Sequence, residues 1–183
     1  MRKIVFVFVV ITVAFFERVF YDLGPNVELI TLAMVLSYLV FGTHKSLLIT
    51  FGLLMLTDLV IGNTNIFLFT WSGFLLPILF FSVIKSKSKI LGGTIMALVF
   101  NLFFFFWTNF GVWYLDVWGM YANDITGLAN SYFNGLPFLK LHLVNTALTV
   151  PVGVWMFEKI EKLNPASKSH LQRLLRSSQL ARV

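Results

Sequence analysis

Apolar residues fall into six runs separated by short polar breaks. They lie at 4–16 (extendable to about 20), about 27–41, 46–61, 66–84, 90–107 and about 139–157. A helix needs roughly 20 apolar residues to cross the hydrocarbon core, and several of these runs sit at the short end of that range. Inside lipid every backbone polar group must be paired within the protein, which leaves helices or a closed barrel. A barrel strand alternates apolar with polar residues, and the stretch Phe100 to Trp107 does not alternate. The pattern therefore predicts an all-α polytopic membrane protein with six transmembrane helices. The first run follows Met1-Arg2-Lys3 as a signal peptide would, but it ends in Phe15-Phe16-Glu17-Arg18 with no small-x-small cleavage site. It is read as a retained helix.

Composition agrees. Of 183 residues, 58% are hydrophobic and 12% charged, with mean hydropathy +0.84. Soluble domains carry about twice that share of charge. Too few charges exist to cover a water-soluble globule, and too much apolar surface exists for a disordered chain. With no cysteine, disulfides, thiolate metal sites and cysteine nucleophiles are excluded. The net charge of +6 changes the picture only once it is placed along the chain. With the N-terminus inside, twelve of the 14 basic residues fall on the inner side: Arg2, Lys3, Lys45, Lys85, Lys87, Lys89, Lys159, Lys162, Lys168, Arg173, Arg176 and Arg182. Arg18 and Lys140 alone fall outside. This bias predicts both termini in the cytoplasm, in a multi-pass protein of the cytoplasmic membrane. It also explains the basic pI, so no nucleic-acid partner is expected.

Connections at 43–45, 62–65 and 85–89 are tight, whereas the outer stretch 108–138 is long for an idle connector. Its Trp113, Trp118, Tyr121, Tyr132 and Phe133 are too apolar for a free loop. A structured outer cap over the helix ends is expected at 108–138. Asn123-Asp124-Ile125-Thr126 is expected to start a short helix there, and Gly135-Leu136-Pro137 to end it. The chain thus divides into a membrane domain at 1–158 and a basic cytoplasmic tail at 159–183. In the tail, Lys159, Lys162, Arg173 and Arg176 line one side of a membrane-surface helix, with Leu171, Leu174 and Leu175 on another and a break at Pro165.

Polar groups inside apolar spans are functional candidates. Asp58 near the outer end of the third run is the clearest, and Asn101, Asn145 and Thr146 lie within the fifth and sixth. Glu17, Arg18 and Glu28 sit at outer ends. The candidate substrate-binding set is Glu28, Asp58, Asn101, Asn109, Trp113, Tyr121 and Asn145. His44 and His142 fall on opposite faces and no H-x-x-x-H spacing occurs, so neither a metal centre nor any other cofactor is expected. No P-loop and no G-x-S-x-G occurs, and an enzyme is not expected.

The outer stretch reads Thr108-Asn109-Phe110-Gly111-Val112-Trp113, Gly119-Met120-Tyr121, Thr126-Gly127-Leu128, Ser131-Tyr132 and Gly135-Leu136-Pro137-Phe138. With Gly24-Pro25-Asn26 and Thr57-Asp58-Leu59-Val60-Ile61-Gly62, it resembles a family of small bacterial membrane proteins that look like the substrate-binding S components of energy-coupling factor (ECF) transporters. The resemblance covers about residues 20–157. It implies a six-helix subunit that captures a vitamin or micronutrient in an outward cavity roofed by loops. It also implies a separate transmembrane T subunit and two cytoplasmic ATPases as partners. Two positions depart from that pattern. The Gly-Asp of the sixth helix is matched here by Asn145-Thr146, and helix 1 is bulky, with Ala14 its only Ala or Gly, in place of small-x-x-x-small spacing. The alternative reading is a structural or scaffold membrane protein with no small-molecule ligand.

Overall fold

The computed structural model describes residues 1–21, 24, 27–83, 86–116 and 118–163. These residues form helices α1 (Arg2–Phe20), α2 (Ile30–Ile61), α3 (Phe67–Phe80, continued by a 3-10 turn at Phe81–Val83), α4 (Lys89–Leu115) and α5 (Ile125–Lys162), with no strand among them. Helices α2, α4 and α5 are long and apolar enough to cross a membrane, and α3 with its extension is a shorter apolar helix. The protein is thus all-helical, with apolar helices of membrane-spanning length. The tail expected at 159–183 lies outside the described residues from 164 onward.

Five helices replace the six expected runs because the second and third share α2. The helical path breaks at Gly42, whose φ of 74° and ψ of −177° suit a residue without a Cβ. The Ser46 hydroxyl donates to the Met34 carbonyl at 3.3 Å. In a straight helix residues twelve apart are about 18 Å apart, so the chain folds back at Gly42. Both ends of α2 reach the end of α1: the Glu17 carboxylate accepts from the Leu29 N–H at 3.3 Å, and the Arg18 guanidinium pairs with Asp58 at 3.0 Å. The second half, 43–61, also buries Ser46, Thr50, Thr57 and Asp58 against its neighbours.

Two further boundaries differ from expectation. Helix α4 continues past Trp107 to Leu115, and α5 begins at Ile125 and runs through Gly135-Leu136-Pro137 to Lys162. The expected cap is therefore mostly two helix extensions, 108–115 and 125–138, joined by 116–124. Asp124 does start the helix: its backbone is extended (φ −144°) and its carboxylate accepts from the Gly127 N–H at 2.7 Å. Pro137 fails to end it. A helical proline orphans the carbonyl four residues back; here Phe133 and Pro137 are both exposed at the molecular surface, where that carbonyl need not be buried.

The most extensive helix pairing is α4 with α5, followed by α1 with α2. Two buried apolar clusters fill the interior, one around Met34, Leu54, Phe74, Ile78 and Phe100, the other around Val7, Val35, Val150, Val154 and Phe157. Large apolar side chains also cover the outside, including Phe8, Val13, Leu48, Leu59, Phe80, Val99, Leu148 and Trp155. Such a surface suits lipid contact.

The two ends of the molecule differ in chemistry. At one end the start of α1, the start of α4 and the end of α5 meet around Glu161, which pairs with Lys89 at 2.5 Å and Lys3 at 3.5 Å. There Arg2 donates to the Leu163 carbonyl at 3.4 Å. The opposite end gathers Glu17, Arg18, Glu28, Asp58, Asn109 and His142, and holds the main cavity.

Candidate functional site

The cavity has a volume of about 1030 Å³. Three helix faces build its walls. Helix α5 presents Asn134, Phe138 and His142, spaced by four. Helix α4 presents Phe104, Phe105, Thr108, Asn109 and Val112, and α3 presents Thr70 and Phe74. Residues three and four apart share one helix face, so each set points the same way. The end of α1 adds Glu17 and Arg18, the segment before α2 adds Glu28, and the 116–124 connection adds Trp118, Met120 and Tyr121.

Glu28 and His142 form an enclosed polar pair at the cavity wall. The His142 ring is almost fully buried, and its Nε2 lies 3.1 Å from Glu28 Oε1. Thr31 donates its N–H to Glu28 Oε2 at 2.9 Å and its hydroxyl to Oε1 at 2.5 Å. Burial raises the Glu28 carboxyl, but the His142 bond and charge and the two Thr31 donors outweigh it and hold the group below the ordinary glutamate range. With Glu28 ionised, Nε2 must carry a proton, whether the ring is neutral or charged. The Phe104 ring meets His142 edge-on at 5.7 Å.

The second charged group is Arg18. Its Nη2 donates to Asp58 Oδ1 at 3.0 Å and its Nε to Thr57 Oγ1 at 3.1 Å. Asp58 Oδ2 accepts from the Trp71 indole at 2.6 Å and from the Asn63 amide. Asp58 is thus fully engaged behind Arg18.

The seven expected residues separate by role. Glu28, Asn109 and Tyr121 line the cavity. Asp58 does not line it but anchors Arg18, which does. Asn145 sits behind Glu28, donating to its carbonyl at 2.7 Å. Asn101 is fully buried between α4 and α5, bonded to Thr146 at 2.7 Å and to the His142 carbonyl at 3.2 Å. Trp113 is absent from the lining; its indole donates to the Ala122 carbonyl at 3.0 Å and so ties α4 to the connection. The Tyr121 hydroxyl lies 3.5 Å from the Asn134 amide.

Sequence reasoning left Glu17, Arg18, His142, Trp118, Met120 and Asn134 out of the set. The first three carried a usable signal, an ionisable group at the outer end of an apolar run. The spacing of Asn134, Phe138 and His142 was hidden because a helix end was expected at Gly135-Leu136-Pro137, which put Asn134 and His142 on two separate helices instead of one face of α5. Among the described residues no three His, Asp or Glu side chains lie close enough together to hold a metal ion.

No curated protein and no solved structure matches this chain. A family profile does, over residues 1–167, and the chain therefore belongs to that family, DUF6580, a family of unknown function.

Proposed function

We propose that this protein is the substrate-binding membrane subunit of a micronutrient or vitamin uptake transporter, similar in role to the S components of ECF transporters, and that its ligand occupies the cavity at the Glu28–His142 end. The observation that carries this reading is the cavity itself. At about 1030 Å³ it falls at the upper end of the range of small-molecule sites, which are apolar in wall with a few convergent polar groups. Its polar groups are held in place from behind by Asn145, Asp58 and Asn101, the kind of support that orients a binding site. A scaffold needs no such arrangement. The seven candidate residues then divide into ligand contacts (Glu28, Asn109, Tyr121) and supports (Asp58, Asn101, Trp113, Asn145). In this reading a separate T subunit and ATPases energise transport, a division with which the missing P-loop is consistent.

In this reading the fold crosses the membrane six times, with the Gly42 reversal separating the second and third spans and both termini in the cytoplasm. The gathering of Arg2, Lys3 and Lys89 at the end opposite the cavity supports it. A cysteine introduced at Ser88 reports directly, because the native chain has none. An impermeant thiol reagent is expected to label it only after the membrane is opened; labelling of intact cells from outside defeats the orientation.

Ligand capture is tested by native mass spectrometry of the detergent-solubilised chain. A small molecule is expected to travel with the wild type and to be reduced or missing in Thr108→Trp, in which an indole projects from the wall into the cavity. If the wild type carries nothing, and a library of vitamins and cofactors leaves its melting temperature unmoved, the binding reading fails. Ligand at a hundred times its Kd adds about 2.7 kcal/mol to stability, so a genuine ligand is not easily missed.

A further inference from the structure

The seam between α4 and α5 carries a groove on the outside of the helix bundle, apart from the main cavity. Apolar side chains alone line it, among them Ile95, Val99 and Leu102 of α4 and Leu143, Val144 and Ala147 of α5. Ile95, Val99, Leu102 and Val144 stay about half exposed, so the fold itself leaves the groove open. Lys140 stands at its outer end. It precedes Leu143, Val144 and Ala147 by three, four and seven positions, so all four share one face of α5. Lys140 is exposed, and among the described residues no acidic group pairs with it.

We infer that this seam seats one anionic phospholipid of the outer leaflet, with its phosphate on the Lys140 ammonium and an acyl chain in the groove. Depth and charge lead there independently. Measured along α5 at 1.5 Å per residue, Lys140 lies about 31 Å from Glu161, the carboxylate at the opposite end of the molecule. That distance matches the hydrocarbon thickness of about 30 Å. With Glu161 and its lysines at the inner headgroups, Lys140 reaches the outer ones. Residues 143–147 then occupy about the next 5–10 Å inward, where the acyl chains of that leaflet begin. Charge decides the kind of occupant. An unpaired ammonium beside apolar faces is costly unless it reaches headgroups or gains a counter-charge, and an anionic phospholipid offers both. A second copy of the chain fits poorly. Two copies in one membrane stand the same way up, so packing on this seam brings both Lys140 ammoniums to one depth without a counter-ion. A partner helix would have to carry its own carboxylate to that depth, whereas a phospholipid already holds a phosphate there.

The test uses the full chain in detergent with a photoactivatable phosphatidylglycerol that carries a diazirine in its acyl chain, and the matching phosphatidylcholine in a parallel sample. After illumination, adducts are expected on the peptides holding Ile95–Leu102 and Leu143–Ala147. The phosphatidylglycerol yield is expected to exceed the phosphatidylcholine yield about fivefold, the ratio that about 1 kcal/mol for one lysine near an anionic surface corresponds to. Lys140→Gln is expected to remove that advantage with the melting temperature unchanged, since the side chain is exposed. Val144→Trp places an indole in the groove and is expected to lower the adducts of both lipids. Equal yields for the two lipids in the wild type, or an undiminished advantage in Lys140→Gln, overturns the lipid seat. Absence of adducts on these peptides overturns it as well, and a dimer in the native mass spectrum would then assign the seam to a second copy. The inference rests on the six-span reading for depth and leaflet, not on the ligand. External labelling of a cysteine at position 88 overturns the leaflet, while the adduct pattern decides the seat separately from anything found in the main cavity.

Discussion

Replacing Arg18 by methionine is expected to lower stability by about 3 kcal/mol, near the lower end of the cost of breaking a buried ion pair. For a chain of this length that corresponds to a fall in melting temperature of about 10 °C. Asp58 is the reason. Its side chain is 5% exposed, and after the substitution it keeps only the neutral donors of Trp71 and Asn63. The carboxylate must then remain charged without a counter-ion or take up a proton, and either is costly. The Arg18 side chain is 21% exposed, so some solvent screening moderates the loss. Adding Asp58→Asn to Arg18→Met is expected to restore about 2 kcal/mol, because the carbonyl of asparagine still accepts from Trp71 while the uncompensated charge is gone. Thermal unfolding of the two single variants and the double variant measures this coupling. A melting temperature for Arg18→Met within about 2 °C of wild type would mean that the pair contributes no net stability.

Gly127→Val is expected to open the 116–124 connection. A Cβ at this position runs into the Ala122 carbonyl, a backbone group that no rotamer change can move aside. That carbonyl also accepts from the Trp113 indole, and the Gly127 N–H is held by the Asp124 cap. Relieving the overlap therefore breaks the indole bond and disturbs the cap. Overpacking costs about 1–3 kcal/mol, and the cap and the indole bond about 1 kcal/mol each, for a local loss of about 3–5 kcal/mol. The helices themselves pack elsewhere, so the global transition should move less than the connection does. Limited proteolysis reads the difference: cleavage within 116–124 should become much faster in Gly127→Val, and ligand affinity should fall because Trp118, Met120 and Tyr121 leave the cavity wall. Unchanged protection of the connection would refute the packing described for it. Trp113→Phe isolates the indole bond and should reproduce only about 1 kcal/mol of the effect.

The first prediction involves residues that the chain separates widely, and this separation marks what local reading missed. Asp58 stood out in the sequence because a carboxylate in an apolar run is costly. That cost identifies the residue but not its partner, which lies 40 positions away on α1. His142 reaches Glu28 across 114 positions. Trp113 was read as part of a roof over the ligand because it is large and apolar; its indole instead fastens a turn nine positions on. Periodicity reports which face of one helix is apolar, not which neighbouring element meets it.

What the sequence determined by itself is set by local physics: the apolar runs, the choice of helix over strand, the Asp124 cap and the concentration of lysine and arginine in particular connections. Each depends on residues within a turn or two of one another. Tertiary structure decided the rest. It folded α2 back at Gly42 and carried α5 through Pro137, because burial against α4 and a surface position for the orphaned carbonyl outweigh the local signal to stop. It also placed Glu28 and Asn109 in the cavity wall and Asp58 and Asn145 behind it. The same residue type serves as lining or as support according to the partners that helix packing brings within hydrogen-bonding distance, and those partners are not neighbours in the chain.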